Sequence, residues 1–429
     1  MTLTALRART WYDATGIAPP DTTKITSITR GDYDVAIIGA GLAGLVSALT
    51  LAQGGARVIV LETDRIGSGA SGRNGGFCSA GWAAGTEQIT QLVGPHVAKT
   101  LDALAQHGVA WMRTRMEQSR YAACDLVQGE LILDLNGATM DAAEQDRHIA
   151  QDELRQMLSA RRYKSGVYTP SAFHFHPLNF MRLLAQDALN AGATIVETAP
   201  VTRIDNTKHG FDITVAGSPT QIKARNVITA TGGYMGHETP FSRKHFLPIR
   251  TYIGVTDPMP EILDEHIRCH WAIADTRRAG NYYRRLPDGR LLWGMAITAF
   301  GTLDTTRIRA MILHDIKAMY PIMVAQMQSA QIGIDFAWAG NMAYARHYMP
   351  IVGAIGQNHY SLAGFGGHGM NTAPAAARAL AAHILGDHDA LQAFQTIPRP
   401  RVFGRLGAFA AEATYRYMRV RDALSERLS

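Results

Sequence analysis

The sequence predicts an α/β (α+β) protein of two domains, in which a Rossmann-like domain is interleaved with a domain built on an antiparallel sheet. Three observations predict this fold. Residues 34–61 follow the order strand, glycine-rich turn, helix and second strand, as in a βαβ unit with a buried parallel sheet. Residues 246–300 have an antiparallel pattern, clearest in the hairpin whose turn is Pro287-Asp288-Gly289. Buried strands that end in glycine clusters return near 226–233 and 360–370, so the two kinds of segment alternate along the chain.

This alternation also predicts how the chain divides into domains. A chain of 429 residues is too long for one simple core, so two domains are expected. The predicted division is an N-terminal arm at 1–30, a discontinuous nucleotide-binding domain at 31–85, 165–240 and 340–390, a substrate-binding domain at 86–164 and 241–339, and a helical C-terminal tail at 391–429.

The composition excludes several classes of protein. Apolar residues make up 47% and charged residues 18%, which is typical of a globular protein and not of a disordered one. The net charge of +6 is spread along the chain without a nucleic-acid-binding motif, so we predict no nucleic-acid partner. The cysteines Cys78, Cys124 and Cys269 form neither a disulfide framework nor a metal-ligand spacing, which predicts no metal site and fits a reducing cytoplasm.

One uncharged segment has the length of a membrane helix. It runs over 18 residues, from Val35 to Ala52, but three glycines interrupt it. A buried strand, a turn and a buried helix account for it better, so we predict no membrane span. The N-terminal residues also lack the pattern of a secretion signal.

The first strand leads into the motif Gly39-Ala40-Gly41-Leu42-Ala43-Gly44, and a helix follows over 42–53. In this arrangement Gly39 permits the tight turn, Gly41 lets the backbone approach a pyrophosphate, and Gly44 allows close contact between helix and sheet. The positive end of the helix dipole then faces the phosphates. The motif therefore predicts a dinucleotide site, against the alternative of a tight turn without a ligand.

Other features strengthen this prediction and favour FAD over NAD. Glu62 ends the second strand, 57–61, where an acidic side chain accepts hydrogen bonds from a ribose diol. The loop Gly67–Gly76 contains five glycines in ten residues, so its exposed N–H groups can wrap phosphates and reach a second ring system. The cluster Gly364–Met370 immediately precedes a helix, whose first N–H groups can stabilise the negative charge that a reduced flavin gathers at N1 and C2=O.

On these motifs the sequence resembles the D-amino-acid-oxidase-type superfamily of FAD-dependent oxidoreductases, and within it the gamma-glutamylputrescine oxidase-like branch. The arm motif Trp11-Tyr12 and the pair His176-Pro177 also resemble that branch. The motifs that carry the resemblance are Gly39 to Gly44 with Glu62, Gly69-Ala70-Ser71-Gly72-Arg73-Asn74-Gly75-Gly76, Trp338-Ala339-Gly340 followed by Pro350-Ile351-Val352-Gly353, and Gly364-Phe365-Gly366-Gly367-His368-Gly369-Met370.

The resemblance implies a set of cofactor contacts. They comprise Ala70, Ser71, Arg73, Asn74, Gly75 and Gly76 along the FAD, Val201 at the adenine, Thr231 and Gly232 beside the pyrophosphate, and Gly366, Gly367, His368, Gly369 and Met370 over the flavin pyrimidine edge. The last cysteine, Cys269, lies well before the third cluster, and residues 64–76 contain no histidine. Some relatives attach FAD covalently through a Cys in the C-terminal third or a His in the first glycine loop. Neither residue is present at these places here, so we predict non-covalent FAD.

Two departures from the resemblance concern the substrate. Many α-amino acid oxidases of the superfamily hold the substrate carboxylate with an Arg at the position of Met342, and a later acidic position is here His347. A bidentate Arg clamp is therefore missing at its usual place. This favours an amine, or a carboxylate held further from the flavin, over a free α-amino acid.

Several residues are candidates for substrate contact, each with a plainer alternative. His368 is predicted to stack near the flavin or orient the substrate, or else to start a helix. Tyr252, on the apolar strand 249–255, is predicted to face the flavin, or else to pack within the sheet. Trp338 is predicted to line the pocket, or else to lie in the core. Phe365 and Met342 complete the predicted substrate site, whereas the pair Arg284-Arg285 is interpreted as a solvated face.

These features together predict the oxidation of an amine. In this hypothesis a neutral amine passes a hydride from its α-carbon to flavin N5, the imine hydrolyses to an aldehyde, and O2 reoxidises the flavin, yielding H2O2. One alternative is a dehydrogenase that passes electrons to a quinone or a carrier protein. Another, from a different class, is a flavin-binding subunit without amine turnover.

Overall fold

The computed structural model describes residues 6, 8–28, 32–137, 140–218, 220–277, 280–301 and 303–428. Residues 1–5, 7, 29 and 30 of the predicted arm lie outside the described residues. In chain order, the strands are β1 Asp32–Ile38, β2 Val58–Leu61, β3 Phe77–Cys78, β4 Val127–Asp134, β5 Arg147–Ile149, β6 Ser165–His174, β7 Thr194–Val196, β8 Val201–Thr207, β9 Gly210–Val215, β10 Ile222–Thr229, β11 Leu247–Thr256, β12 Ala272–Asp275, β13 Tyr282–Arg285, β14 Leu291–Thr298, β15 Ile334–Tyr344, β16 Ile351–Gly356 and β17 His359–Ala363.

The helices alternate with these strands along most of the chain. They are α1 Trp11–Thr15, α2 Leu42–Gln53, α3 Ala70–Arg73, α4 Thr86–Val93, α5 Pro95–Met116, α6 Gln151–Met157, α7 Pro177–Asn190, α8 Pro240–His245, α9 Pro260–His266, α10 Thr305–Met319, α11 Pro321–Ser329, α12 Gly369–Ile384, α13 Gln392–Gln395 and α14 Gly404–Leu428.

The first sheet is the Rossmann-like one, with strand order β16-β17-β10-β1-β2-β7 and with β8 and β9 joined to β10. β1 runs parallel to both of its neighbours, β10 and β2. Because helices cover a parallel sheet on its faces, residues 35–38 are all buried, which explains their uninterrupted apolar run. The predicted βαβ unit is therefore confirmed.

The second sheet has the order β15-β11-β14-β13-β12-β4-β6-β3 and is mainly antiparallel. The predicted hairpin at 282–294 forms its β13–β14 pair. One face packs against α10 and α11, where Tyr283 and Trp293 join the same hydrophobic core as Ile312. The two sheets confirm the predicted fold class.

Two segments lie elsewhere than the predicted domain division put them. Residues 165–174 were assigned to the nucleotide-binding domain, but they form β6 of the second sheet, beside β4. Helix α5 was assigned to the substrate-binding domain, but its buried side chains join the core beneath the first sheet, where it packs on α12. Helical periodicity indicates that one face is apolar, but it does not indicate which core receives that face.

The helical segment between β14 and β15 is divided into α10 and α11. Pro321 occupies the first turn of α11, where its missing N–H is not needed, and the residue before it leaves the helical conformation. Within the described ranges, no helix combines the length and the hydropathy needed to cross a membrane.

Candidate functional site

A cavity of about 430 Å³ lies between the glycine-rich loops beside the first sheet and one face of the second sheet. The predicted site residues in its lining are Gly41, Leu42, Ala43, Ala70, Ser71, Arg73, Asn74, Gly75, Gly232, Met342, Phe365, Gly366, Gly367, His368, Gly369 and Met370. The three glycine-rich segments, which lie far apart in the sequence, therefore meet at one cavity.

The first glycine motif is shaped by two close backbone contacts. Gly39 has a φ of +109°, and a Cβ there would lie 2.9 Å from the carbonyl oxygen of Ala230. A Cβ on Gly44 would lie 2.0 Å from the carbonyl oxygen of Gly39. Side chains are excluded at both positions, so the turn and the start of α2 require glycine as predicted.

Two helix N-termini open onto this cavity. Gly41 to Ala43 at the start of α2 and Gly369 to Asn371 at the start of α12 line it. In neither helix does the side chain of the N-cap residue accept a hydrogen bond from the first turn. Since both helices are long enough to carry a full dipole, the cavity receives N–H groups and positive potential from two directions. Such an arrangement suits a ligand with a diphosphate at one end and an anionic ring at the other.

Glu62 stands at the end of β2 beside the first motif. Its Oε2 accepts a hydrogen bond of 2.7 Å from the Ala40 N–H, and its Oε1 accepts one of 2.9 Å from the Asp64 N–H. Burial raises the pKa of this carboxyl, while the two N–H donors act in the opposite direction. The carboxylate is thus fixed in place with lone pairs left for a ribose diol.

The loop over residues 70–76 is held in shape by its own polar side chains. Ser71 Oγ accepts the N–H of Leu42 at 2.9 Å, which joins this loop to the first motif. The Asn74 amide donates to the carbonyls of Ala70 and Ser71 and accepts the Gly76 N–H at 2.7 Å. The polar atoms of Asn74 therefore shape the loop, and a direct contact with the cofactor stays a prediction.

Two arginines that donate hydrogen bonds around this loop, Arg73 and Arg284, are both buried. Arg73 donates to the carbonyl oxygens of Ala339 and Ala8, and burial lowers the pKa of its guanidinium. A cofactor contact of Arg73 remains a prediction beside these structural bonds. The interpretation of Arg284 as part of a solvated face is wrong, because the residue is only 2% exposed and donates to Gly75 O at 2.8 Å.

The third cluster closes the cavity on the side of β15. The Gly366 N–H donates to Ala343 O at 3.0 Å, and Phe365 forms an isolated bridge with Tyr344. His368 is the N-cap residue of α12 and is exposed, with its carbonyl accepting the Thr372 hydroxyl. His368 thus both starts the helix and lines the cavity.

Met342, at the position where the family resemblance predicts an arginine, also lines this cavity. A Cβ on Gly367 would lie 3.1 Å from the Met342 sulfur. His347 lies away from the lining, where its Nε2 is 2.7 Å from Pro398 O and its Nδ1 accepts the Met349 N–H. The cavity therefore presents a neutral thioether at the usual place of a carboxylate-binding guanidinium.

Other predicted site residues lie outside the cavity lining. Tyr252 is buried in the core beneath α10, while its neighbour Thr251 lines the cavity. Trp338 is fully buried beside Tyr12, with ring centroids 5.8 Å apart. The backbone of Val201 pairs with Val215 in β8–β9. The remaining predicted residues outside the lining are Gly39, Ala40, Gly44, Glu62, Gly76 and Thr231.

The second sheet and the residues just after its strands contribute lining residues that sequence reasoning missed. They include Phe77, Ser79, Glu130, Thr251, Asp275, Arg277, Tyr282, Asn341 and Tyr344. Asp275 and Arg277 form an ion pair of 2.6 Å, so this carboxylate is satisfied within the chain. The alternation of Met342 and Tyr344 on β15 is the signal that could have revealed Tyr344.

Two orphaned polar atoms test whether a dinucleotide fits here. Thr231 Oγ1 and Asn341 Oδ1 are buried without a hydrogen-bond partner among the described residues. Asn341 itself lines the cavity, and Thr231 directly precedes Gly232, which also lines it. Buried polar groups are nearly always satisfied, so a polar ligand in this cavity accounts for both atoms. With the two helix N-termini and Glu62, the donor set fits FAD.

Comparison with known proteins adds independent evidence. The family model described as DAO, FAD dependent oxidoreductase, matches residues 34–383. The probable oxidoreductase OrdL of Haemophilus influenzae is 30% identical over 390 residues, covering 86% of this chain and 87% of the relative. The gamma-glutamylputrescine oxidoreductase of Escherichia coli is 29% identical over 380 residues, covering 85% and 86% respectively.

Solved structures show the same fold. The dithionite-reduced L-alpha-glycerophosphate oxidase of Mycoplasma pneumoniae with FAD bound superposes with a TM-score of 0.67 at 18% identity. The superposition covers 83% of this chain and 95% of that one.

Proposed function

Because a family model spans most of its length, this chain belongs to the DAO family of FAD-dependent oxidoreductases, and we propose that it oxidises a carbon–nitrogen bond of an amine. The observation that carries the proposal is Met342, a neutral side chain in the cavity lining. A free α-amino acid needs a cationic partner for its carboxylate there, whereas a neutral amine does not. The gamma-glutamylputrescine oxidoreductase of Escherichia coli, similar over most of the chain, supports an N-substituted amine as the substrate.

The residues of the first domain would hold the cofactor. Glu62 would accept hydrogen bonds from the adenosine ribose, and the start of α2 would face the diphosphate. The start of α12 would stabilise negative charge at one edge of the flavin. When bound, FAD supplies the two-electron acceptor for the reaction.

The other lining residues would position the amine and exclude water. Met342 and Phe365 would form apolar walls that favour the uncharged amine over its ammonium form. Loss of a hydride from the α-carbon to the bound FAD would leave an iminium ion, which one water molecule hydrolyses to an aldehyde and ammonia, or a smaller amine where the nitrogen is substituted. This chemistry needs no strong general base, so the residues act mainly by orientation.

We further propose a non-covalent FAD and O2 as the electron acceptor. The three cysteines are buried as free thiols, which supports a reducing compartment such as the cytoplasm. A non-covalent cofactor predicts that acid precipitation releases all of the yellow colour into the supernatant. Colour that stays with the pellet would contradict it.

The proposed activity is tested by steady-state kcat/KM values on paired substrates. Gamma-glutamylputrescine and N-alkylated amines should be turned over in preference to D- and L-amino acids, with peroxide formed in equal amount to aldehyde. Preference for free amino acids would overturn the argument from Met342. Turnover with a dye or quinone, without peroxide in air, would instead identify a dehydrogenase.

A further inference from the structure

Glu130 places a buried carboxylate in the wall of the cavity. It lies on β4, where a bulge between Gln128 and Glu130 interrupts the pairing with β6. The next residue, Leu131, points into the core of the second domain, so Glu130 points to the opposite face of the sheet. It is 5% exposed and belongs to the cavity lining.

The charge of this carboxylate is not balanced by the described residues. Glu130 Oε2 has no hydrogen-bond partner among them, and no described salt bridge includes Glu130. Burial raises the pKa of its carboxyl to about 7, against a hydrogen bond from Ser79 that acts in the opposite direction. A buried carboxylate without a cation is costly, so proteins usually pair such a group. The missing cation is the component that a ligand would bring.

The surroundings of Glu130 fit an organic cation better than a metal ion. No group of three or more His, Cys, Asp or Glu residues is arranged for a metal within the described part of the chain. The aromatic rings of Phe77 and Tyr282, 5.9 Å apart, share the lining with Glu130. Aromatic faces and one carboxylate are the usual partners of an alkylammonium group.

Glu130 is poorly suited to bind the amine that reacts. A negative charge beside an amine favours its ammonium form, but hydride loss requires the neutral amine. A carboxylate in the same cavity is well suited to a second amino group that stays protonated during the reaction.

We propose that Glu130 is the receptor for a second, protonated amino group of the substrate, so that this enzyme selects amines that carry a distal ammonium over simple monoamines. The inference rests on the proposed amine oxidation and specifies its substrate class. Diamines and their N-alkylated derivatives present both groups, and gamma-glutamylputrescine presents the second one as the α-ammonium of its glutamyl part.

The test compares wild type, Glu130→Gln and the matched control Glu117→Gln, which makes the same change at an exposed residue. Each holoprotein is mixed anaerobically with putrescine and with n-butylamine, and longer homologues are paired in the same way. Dissociation constants come from the saturation of the flavin spectral perturbation or, where the amine bleaches the flavin, from the saturation of the bleaching rate with amine concentration. Flavin absorbance and content confirm that each variant is folded.

We expect wild type and Glu117→Gln to bind the diamine at least about tenfold more tightly than the monoamine, with the ratio falling toward one in Glu130→Gln. Glu130→Asp, which keeps the charge, should retain part of the preference. An equal ratio in wild type and Glu130→Gln would overturn the proposal, as would equal losses for both amines, which indicate a proton-accepting role. If amines bind selectively but never bleach the flavin, the proposed amine oxidation fails while the receptor role of Glu130 stands.

Discussion

The indole Nε1 of Trp338 donates a hydrogen bond of 2.8 Å to the backbone carbonyl oxygen of Arg73. Each of the next three carbonyl oxygens in the loop over residues 70–76 also has its own donor from elsewhere in the chain. Asn74 O accepts from the Tyr12 hydroxyl at 2.8 Å, Gly75 O from Arg284 at 2.8 Å, and Gly76 O from the Phe175 N–H at 2.9 Å. The arm, the second sheet and the loop are thereby joined, so the position of the loop depends on side chains distant in sequence.

Trp338→Phe should weaken FAD binding. The variant keeps an aromatic ring but leaves Arg73 O buried without its donor, which costs about 1–3 kcal/mol. FAD dissociation, followed by the recovery of flavin fluorescence, should be faster than in wild type. The control is Trp271→Phe, since Trp271 stacks on Tyr168 away from the loop. Equal FAD affinity in the two variants would contradict the role of Trp338.

Arg284→Met should be more harmful than the same change at its neighbour Arg285. Arg284 is buried and donates to Gly75 O, Phe175 O and Tyr12, all of which would lose a donor. Arg285 pairs instead with the exposed carboxylate of Asp264. We expect Arg284→Met to lower the free energy of unfolding by about 2–5 kcal/mol, and Arg285→Met by less than about 1 kcal/mol. Urea unfolding of both holoproteins measures this, and similar losses would contradict it.

Glu62→Gln should reduce FAD affinity about tenfold or more. The carboxylate accepts hydrogen bonds from two N–H groups. The amide of Gln would turn its NH2 group toward one of these donors, and it would carry no negative charge to bind the ribose diol. Equilibrium titration of the FAD-free protein with FAD measures the change. Glu87→Gln, on the exposed side of α4, is the control. An unchanged affinity in Glu62→Gln would place the ribose elsewhere.

The stability of wild type should fall with rising pH in a way that Glu130→Gln does not share. Burial raises the pKa of Glu130 from its ordinary 4.5 to about 7. Below the unfolded value the carboxyl is protonated in both states. As pH rises from about 4.5 to about 7, only the unfolded chain ionises, so the folded state loses stability, on the order of 3 kcal/mol in total.

This pH effect is measured by urea unfolding of both proteins in the absence of amine. The difference in unfolding free energy between Glu130→Gln and wild type should grow from about pH 4.5 to about pH 7 and then level off, because other titrating groups cancel in the comparison. Parallel pH profiles would show that the carboxyl of Glu130 ionises as easily as an exposed one.

The sequence predicted the nucleotide-binding part of the fold closely. Helix α2 has the predicted bounds 42–53, because Gly41 and Gly54 mark its two ends. The confirmed family and its FAD dependence also follow from the glycine motifs, whose steric reasons are local. Where a contact depends on a backbone that only glycine can form, the sequence alone shows it.

The second sheet was less predictable. In β11 a bulge between Thr251 and Tyr252 shifts the pairing, so the apolar pattern did not reveal which of them faces the cavity. The burial of Glu130 depends on β12 and β6, the neighbours of its strand, which come from distant segments. Arg284 and Arg285 point to opposite faces of one strand, a difference that adjacent arginines in a sequence do not show.

The central claim, that an amine reduces the flavin held in this cavity, is tested most directly by anaerobic titration of the purified holoprotein. Putrescine, gamma-glutamylputrescine and D-alanine are added separately while the flavin absorbance is recorded and aldehyde is quantified. We expect the amines to bleach the flavin with one aldehyde formed per flavin reduced, and D-alanine to leave it oxidised. The claim would be contradicted if D-alanine bleached the flavin in preference to both amines. It would also be contradicted if none of the three compounds bleached the flavin.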